Sequence, residues 1–121
     1  MIIGFEQITA NLPPVLIKTY AELVAIELRQ SCFGKGHEIK NKEIGAYLAK
    51  NGHEVREVQI REVIHYLRRH YRFTKEGNPC VICANSSGYY LTDNKEYISE
   101  YKKSIKQRMD SIKEVYDSIQ G

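Results

Sequence analysis

Apolar and polar positions alternate with a helical period over much of this chain, most clearly in residues 55–71, VREVQIREVIHYLRRHY. Ile60, Val63, Ile64, Leu67 and Tyr71 recur at i, i+3, i+4, i+7 and i+11, which places them on one stripe of a helix. At about 100° per residue the opposite side carries Arg61, Glu62, His65, Arg69 and Arg72. One face of this helix is built for a core and the other is cationic and long-armed.

The same period predicts two earlier helices. Leu12-Pro13-Pro14 is an entry signal, because proline fits the first helical turn and bars helix just before it. Residues 15–32 follow as a helix whose wide apolar face is Leu16, Ile17, Tyr20, Leu23, Val24 and Leu28. Phe33-Gly34-Lys35-Gly36 ends it, with Gly34 suited to a left-handed cap. A short helix over residues 41–50 takes Asn41 as its N-cap and turns Ile44, Tyr47 and Leu48 inward. Gly45 lies mid-helix at a cost of roughly 1 kcal/mol relative to Ala, which suggests close approach of another backbone. Asn51-Gly52 breaks this helix with turn chemistry. Residues 1–12 read as irregular, with a short extended piece at residues 2–5.

After residue 71 the period changes. Thr74 to Pro79 reads as a polar turn. Residues 80–84 and 89–92, joined by Asn85-Ser86-Ser87-Gly88, read as a β-hairpin. Asp93 or Asn94 then caps a long helix running to about residue 120. The order is helix, helix, turn, helix, hairpin, then a long helix. It predicts a mainly α fold with a small antiparallel hairpin: a winged helix-turn-helix domain over residues 1–92 and a C-terminal helix over 93–121.

Ile39-Lys-Asn-Lys-Glu-Ile-Gly-Ala-Tyr-Leu resembles helix 2 of bacterial winged-helix regulators. Ile60-Arg61 through Leu67-Arg68, with Ile82-Cys83 and Gly88-Tyr89-Tyr90-Leu91, resembles their recognition helix and wing. The nearest likeness, over residues 12–121, is to small phage- or prophage-encoded winged helix-turn-helix proteins. These also end in a Gly-Tyr-Tyr strand and a long charged helix with a central arginine, here Arg108. A more distant likeness is to the DNA-binding domain of biotin-repressor-type regulators. The resemblance implies double-stranded DNA as partner and no cofactor. It also implies a role in transcription regulation or phage DNA replication, with a replication or transcription protein of phage or host as a further partner. The chain departs from the family where Arg56-Glu57 replaces the usual Ser or Thr at the start of the recognition helix. The turn before that helix, and the link from Arg72 to Asn78, are longer than the pattern.

Composition narrows the classes. The 121 residues, 42% apolar and 27% charged, fit one ordinary globular domain. No run approaches the ~18 apolar residues of a membrane span. The N-terminus lacks the basic and apolar regions of a signal peptide, so the expected location is the cytoplasm. Three cysteines do not suggest a secreted disulfide framework. The net charge is only +3, but residues 35–75 hold ten Lys/Arg against five Glu. Such asymmetry suits a nucleic-acid face, or a solvated basic surface.

Arg69 and Arg72 are candidates for phosphate contact, although cations near a helix C-terminus also offset its dipole. Arg68 points more to the side, where it could pair with an acid. Arg61, Glu62 and His65 are candidates for base edges, since Arg can be bidentate to guanine and Glu can accept from cytosine; the alternative is a solvated helix face. Lys40, Asn41 and Lys42 start a helix whose N-terminus can meet phosphate, or form an ordinary cap. Ser86 and Ser87 form the tip of the hairpin and could bond phosphate; for Asn85 the polar-turn reading is preferred. Of Tyr89 and Tyr90, one should pack on the core and one should be exposed.

Enzyme-like signals are sparse. Cys80-Val-Ile-Cys83 places its cysteines on opposite faces of a strand, so metal and redox roles are not expected: a buried Cys83 with a surface Cys80 is. Gly34-Lys-Gly36 lacks P-loop spacing, and the four histidines show no metal spacing. A non-enzymatic protein without metal is expected.

In the last helix Ile98, Ile105, Ile112 and Ile119 fall at strict intervals of seven, with Tyr101, Arg108 and Val115 three later and Met109 and Tyr116 widening the stripe. That period suggests a coiled-coil seam and a homodimer through Ile98, Tyr101, Ile105, Ile112, Tyr116 and Ile119. The alternative is that the stripe folds back on the first helix. The chain therefore reads as a DNA-binding protein using the helix around residues 56–71 in the major groove. The competing reading is a winged-helix interaction module acting through the Ile stripe.

Overall fold

The computed structural model describes residues 12–119. The extended piece expected at residues 2–5 lies outside this range. In chain order the elements are α1 (Pro14–Ser31), α2 (Asn41–Lys50), α3 (Glu57–His70), β1 (Phe73–Lys75), β2 (Asn78–Asn85), β3 (Gly88–Thr92) and α4 (Lys95–Ser118). The protein is thus mainly helical with a small three-stranded antiparallel sheet in the order β1-β2-β3.

The helices form where the pattern places them. Pro13 caps α1, with its carbonyl oxygen accepting from the Ile17 N–H at 3.0 Å, and Pro14 opens the helix. Ile17, Tyr20, Ala21, Val24, Ala25 and Leu28 are buried. Leu16, expected in that face, is 39% exposed, and the small Ala21 and Ala25 are fully buried instead. From α2, Ile44 and Leu48 are buried, while Tyr47 is half-buried and donates its hydroxyl to the Leu23 carbonyl. From α3, Ile60, Val63, Ile64 and Leu67 complete the core. Tyr71 is the half-buried C-cap, so the stripe closes one residue after the helix rather than within it.

What approaches Gly45 is chiefly a side chain. A Cβ there would lie 3.3 Å from Ile60 Cδ1, with the Val55 carbonyl oxygen farther off at 3.9 Å. α2 ends in a Schellman motif: Gly52 stands at φ +89°, its N–H donates to Ala49 O, and the His53 N–H donates to Leu48 O. His53 then packs edge-on against Tyr20 with ring centroids 5.2 Å apart.

The sheet differs from the expected hairpin. The polar turn assigned to residues 74–79 is instead β1, a two-residue turn at Glu76-Gly77, and the start of β2. Both turn residues have positive φ (51° and 83°), which matches the twist of paired strands. β2 and β3 pair from Val81↔Thr92 to Asn85↔Gly88. The segment between α1 and α2 adds to the far side of β3 through bridges Phe33↔Leu91 and Ile39↔Tyr89. Gly34, left-handed at φ +93°, therefore serves this crossing, donating to Leu91 O, rather than capping α1, whose C-cap is Cys32.

Ile82 and Leu91, a directly paired couple, join the helical core, and the half-buried Tyr89 packs against it. Cys83 and Tyr90, also paired, are buried outside that cluster, where Tyr90 shares a cleft with Tyr97 and Tyr101 of α4. Neither tyrosine is thus free. Burial pushes the Tyr90 hydroxyl up to about 12, and the neighbouring Cys83 thiol adds to the shift. Cys80 is half-buried, and Cys32, packed in the helical core, has its thiol pushed up to about 11 by desolvation.

Arg68 ties three elements together. Its Nε and Nη2 donate to the Ile82 carbonyl at 3.2 and 3.0 Å, and its guanidinium lies 5.8 Å from the Tyr89 ring and 5.2 Å from Tyr101. The expected acidic partner is a backbone carbonyl instead, on the stretch of β2 that β1 leaves unpaired.

Candidate nucleic-acid interface

Two helix starts and one turn converge on the same shallow groove. Lys40, Asn41 and Lys42 line it from α2, Glu57 from α3, and Asn85, Ser86, Gly88 and Tyr89 from the β2–β3 turn, around a volume of about 380 Å³. The convergence is enforced at Gly88. A Cβ on this residue would stand 2.3 Å from the Ile39 carbonyl oxygen and 2.9 Å from the Lys40 nitrogen. Only glycine, here at φ +128°, lets the strand run this close to the chain entering α2.

The two helix starts are alike and unusual. The N-caps are Lys40 and Arg56, and no side chain caps the free N–H groups of either first turn. Asn41, expected as the N-cap, is instead the first helical residue, with its Oδ1 buried and unpartnered. The acidic or amide residue at the third position only reaches back: Glu43 Oε1 accepts from the Lys40 N–H and Gln59 Oε1 from the Arg56 N–H, each at 3.0 Å. The start of α1, at Pro13, also has no side-chain cap, whereas Asn94 caps α4, accepting from the Glu96 and Tyr97 N–H groups at 2.9 and 3.1 Å. Uncapped N–H groups flanked by cations attract an anion through both hydrogen bonding and the helix dipole.

From the groove the outward face of α3 continues with Arg61, His65 and Arg69, all exposed. Glu62, expected among them as a base reader, is half-buried, and its Oε1 is shut off from water without a hydrogen-bond partner. Arg72 is exposed but off the helix, since α3 ends at His70 and the chain at Tyr71 is already extended (ψ 142°) on its way into β1. Arg69 lies about 18 Å along the helix from Glu57 at 1.5 Å per residue. The structure therefore brings Lys40, Asn41, Lys42 and Ser86 together and leaves Arg69 and Arg72 towards the opposite end of α3. Arg56, marked in the sequence only as a departure from the resemblance and not as a contact residue, is an exposed cation at the start of α3.

The β2–β3 turn is held from below. Asn85 donates through Nδ2 to Glu38 Oε2 at 2.9 Å and accepts the Ser87 N–H at its Oδ1 at 2.8 Å. Asn85 is thus a structural turn residue. Ser86 lines the groove, whereas Ser87 sits on the turn outside it. The Asn85 bond, followed by backbone N–H groups including that of Gly36, holds the Glu38 carboxyl below its ordinary 4.5.

Among the described residues, no group of three or more His, Cys, Asp or Glu side chains could hold a metal ion, and no helix is long and apolar enough to cross a membrane. Comparison of this chain with protein-family models, curated proteins and solved structures finds no match.

Proposed function

We infer that this is a non-enzymatic double-stranded-DNA-binding protein of the winged helix-turn-helix kind. It acts by occupying its site, as a transcription regulator or replication accessory protein of the phage type that its motifs resemble. The observation that carries this reading is the pair of uncapped, cation-flanked helix starts that converge with the β2–β3 turn on one groove.

In this reading phosphates meet the free N–H groups of α2 with Lys40 and Lys42, while Ser86 bonds the backbone from the turn. Arg61 and His65 on α3 reach base edges in the major groove, and Arg69 holds the strand at the other end of the helix. Arg56 adds a phosphate contact where α3 begins. Glu62 shapes the edge of this face rather than reading a base. The turn carries no Lys or Arg, so it contributes less than the helices.

Adding a short mixed-sequence duplex to the isotopically labelled protein tests this directly. The amides of residues 40–43, 56–62 and 86–87 should shift together in NMR spectra while those of residues 105–118 stay in place. Shifts confined to α4, or none at low salt, would contradict the reading.

A further inference from the structure

Beyond Tyr101, α4 leaves the domain with an apolar stripe that nothing in the chain covers among the described residues. Ile105, Met109, Ile112, Val115, Tyr116 and Ile119 are between 37% and 75% exposed. The expected seam is therefore split: Ile98 and Tyr101 are half-buried on their own domain, and only Ile105, Ile112, Tyr116 and Ile119 remain free with Met109 and Val115. The stripe does not fold back on α1.

We propose that a second copy of this chain covers the stripe, with the two α4 helices running antiparallel across a two-fold axis. This proposal is independent of the DNA reading. Three observations carry it. The isoleucines keep a strict seven-residue interval, a period that only another long helix can follow over several turns. Past Lys102 the edges of the stripe are neutral: Ser104, Ser111 and Ser118 repeat every seven residues on one side, Met109 and Tyr116 on the other. The nearby Lys106 and Lys113 are already paired with Asp110 and Asp117 of their own helix at 3.3 and 2.7 Å. A neutral edge sets no like charges against an identical partner.

The third observation fixes the direction. At about 100° per residue, Ile98 and Tyr101 point within about 30° of the mean direction of the exposed stripe, and Tyr97 within about 70°. The sheet of the same chain and the incoming helix therefore lie on one side of α4. A parallel partner in register would drive its first two turns into that sheet. The α4 helix of an antiparallel partner has its last turn there instead, against the cleft of about 280 Å³ lined by Leu67, Phe73, Ile82, Tyr101 and Ile105. Serine edge then meets serine edge, which allows close approach. The two Arg108 side chains, the only charges in the seam, lie about 9 Å apart along it instead of face to face. Pairing covers on the order of 1,200 Å², the lower end of specific interfaces, which suits a reversible dimer.

Sedimentation of the full chain over a micromolar series should give the mass of two chains in reversible equilibrium with one. Ile112→Glu should sediment as a monomer with the domain still folded by circular dichroism, since among the described residues no member of the hydrophobic core lies beyond Leu91. Arg108→Leu should tighten association at least tenfold. In a Cys80→Ser background under mild oxidation, Ser111→Cys, near the two-fold axis, should form a covalent dimer, and Ser118→Cys, one heptad farther along, should not. A wild-type monomer at several hundred micromolar, a mass above two chains, or equal behaviour of the two cysteine variants would overturn the proposal.

Discussion

Gly88 fixes the distance between the β2–β3 turn and the start of α2, and with it the width of the groove. Its missing Cβ would overlap the Ile39 carbonyl oxygen, which is backbone and cannot turn aside. Gly88→Ala should lower unfolding free energy by roughly 2–4 kcal/mol in urea denaturation, through overlap and an unfavourable φ together. At the same turn, Glu38 sets a pH limit. Its folded carboxyl titrates below 4.5, chiefly because Asn85 donates to its charged form. That contribution to stability is present above 4.5 and is lost as pH falls through the lowered folded value. Asn85→Ala should return the Glu38 titration, followed by carboxyl NMR shifts, towards 4.5 and should remove this part of the acid sensitivity. An unchanged Glu38 titration would show that the Asn85 bond is not formed in solution.

At the scale of elements, neighbouring arginines on α3 divide into structural and surface roles. Arg68 donates twice to the Ile82 carbonyl and lies over two tyrosines, whereas Arg69 is exposed with no hydrogen bond or ion pair among the described residues. Arg68→Leu should cost about 1–2 kcal/mol of stability, the low end for a charged donor because the side chain is solvated. Arg69→Ala should stay within about 0.5 kcal/mol of wild type, both by urea denaturation. The helix stripes were legible because burial repeats every 3.6 residues: Ile60, Val63, Ile64 and Leu67 all lie in the core as their spacing implies. β1 was not legible. Its turn places Glu76 at φ 51°, a conformation that a Glu-Gly pair advertises less strongly than Asn-Gly or Asp-Gly, and Pro79 disguised the start of β2. The N-cap of α2 was misplaced by one residue because Asn41 has the right chemistry, while Lys40, which holds the position, does not. Glu62 misled for another reason. Helical periodicity orders residues around one axis and is silent on what neighbouring elements cover, which leaves a nominally outward carboxylate half-buried.

For the whole molecule, the fold separates two surfaces. The groove and outward face of α3 carry Lys40, Lys42, Arg56, Arg61 and Arg69, with Arg72 beyond the helix end, while the apolar stripe lies on α4 past Tyr101. The convergence of α2, α3 and the turn could not be read from spacing, because it depends on how closely Gly88 lets the chain approach Ile39. Self-association through α4 would carry two such faces on one particle and raise DNA affinity at protein concentrations above its midpoint, without altering the contacts of each face.

The most direct test of DNA binding is fluorescence anisotropy with a mixed-sequence duplex across a salt series, on wild type and on Arg61→Ala/Arg69→Ala. If about five cations meet phosphate, log affinity should fall with log salt at a slope near −4 to −5. The double variant should bind more weakly, with a slope shallower by up to about 2, while its stability is unchanged. Absence of binding at low salt, or a slope that the two substitutions leave untouched, would contradict the account.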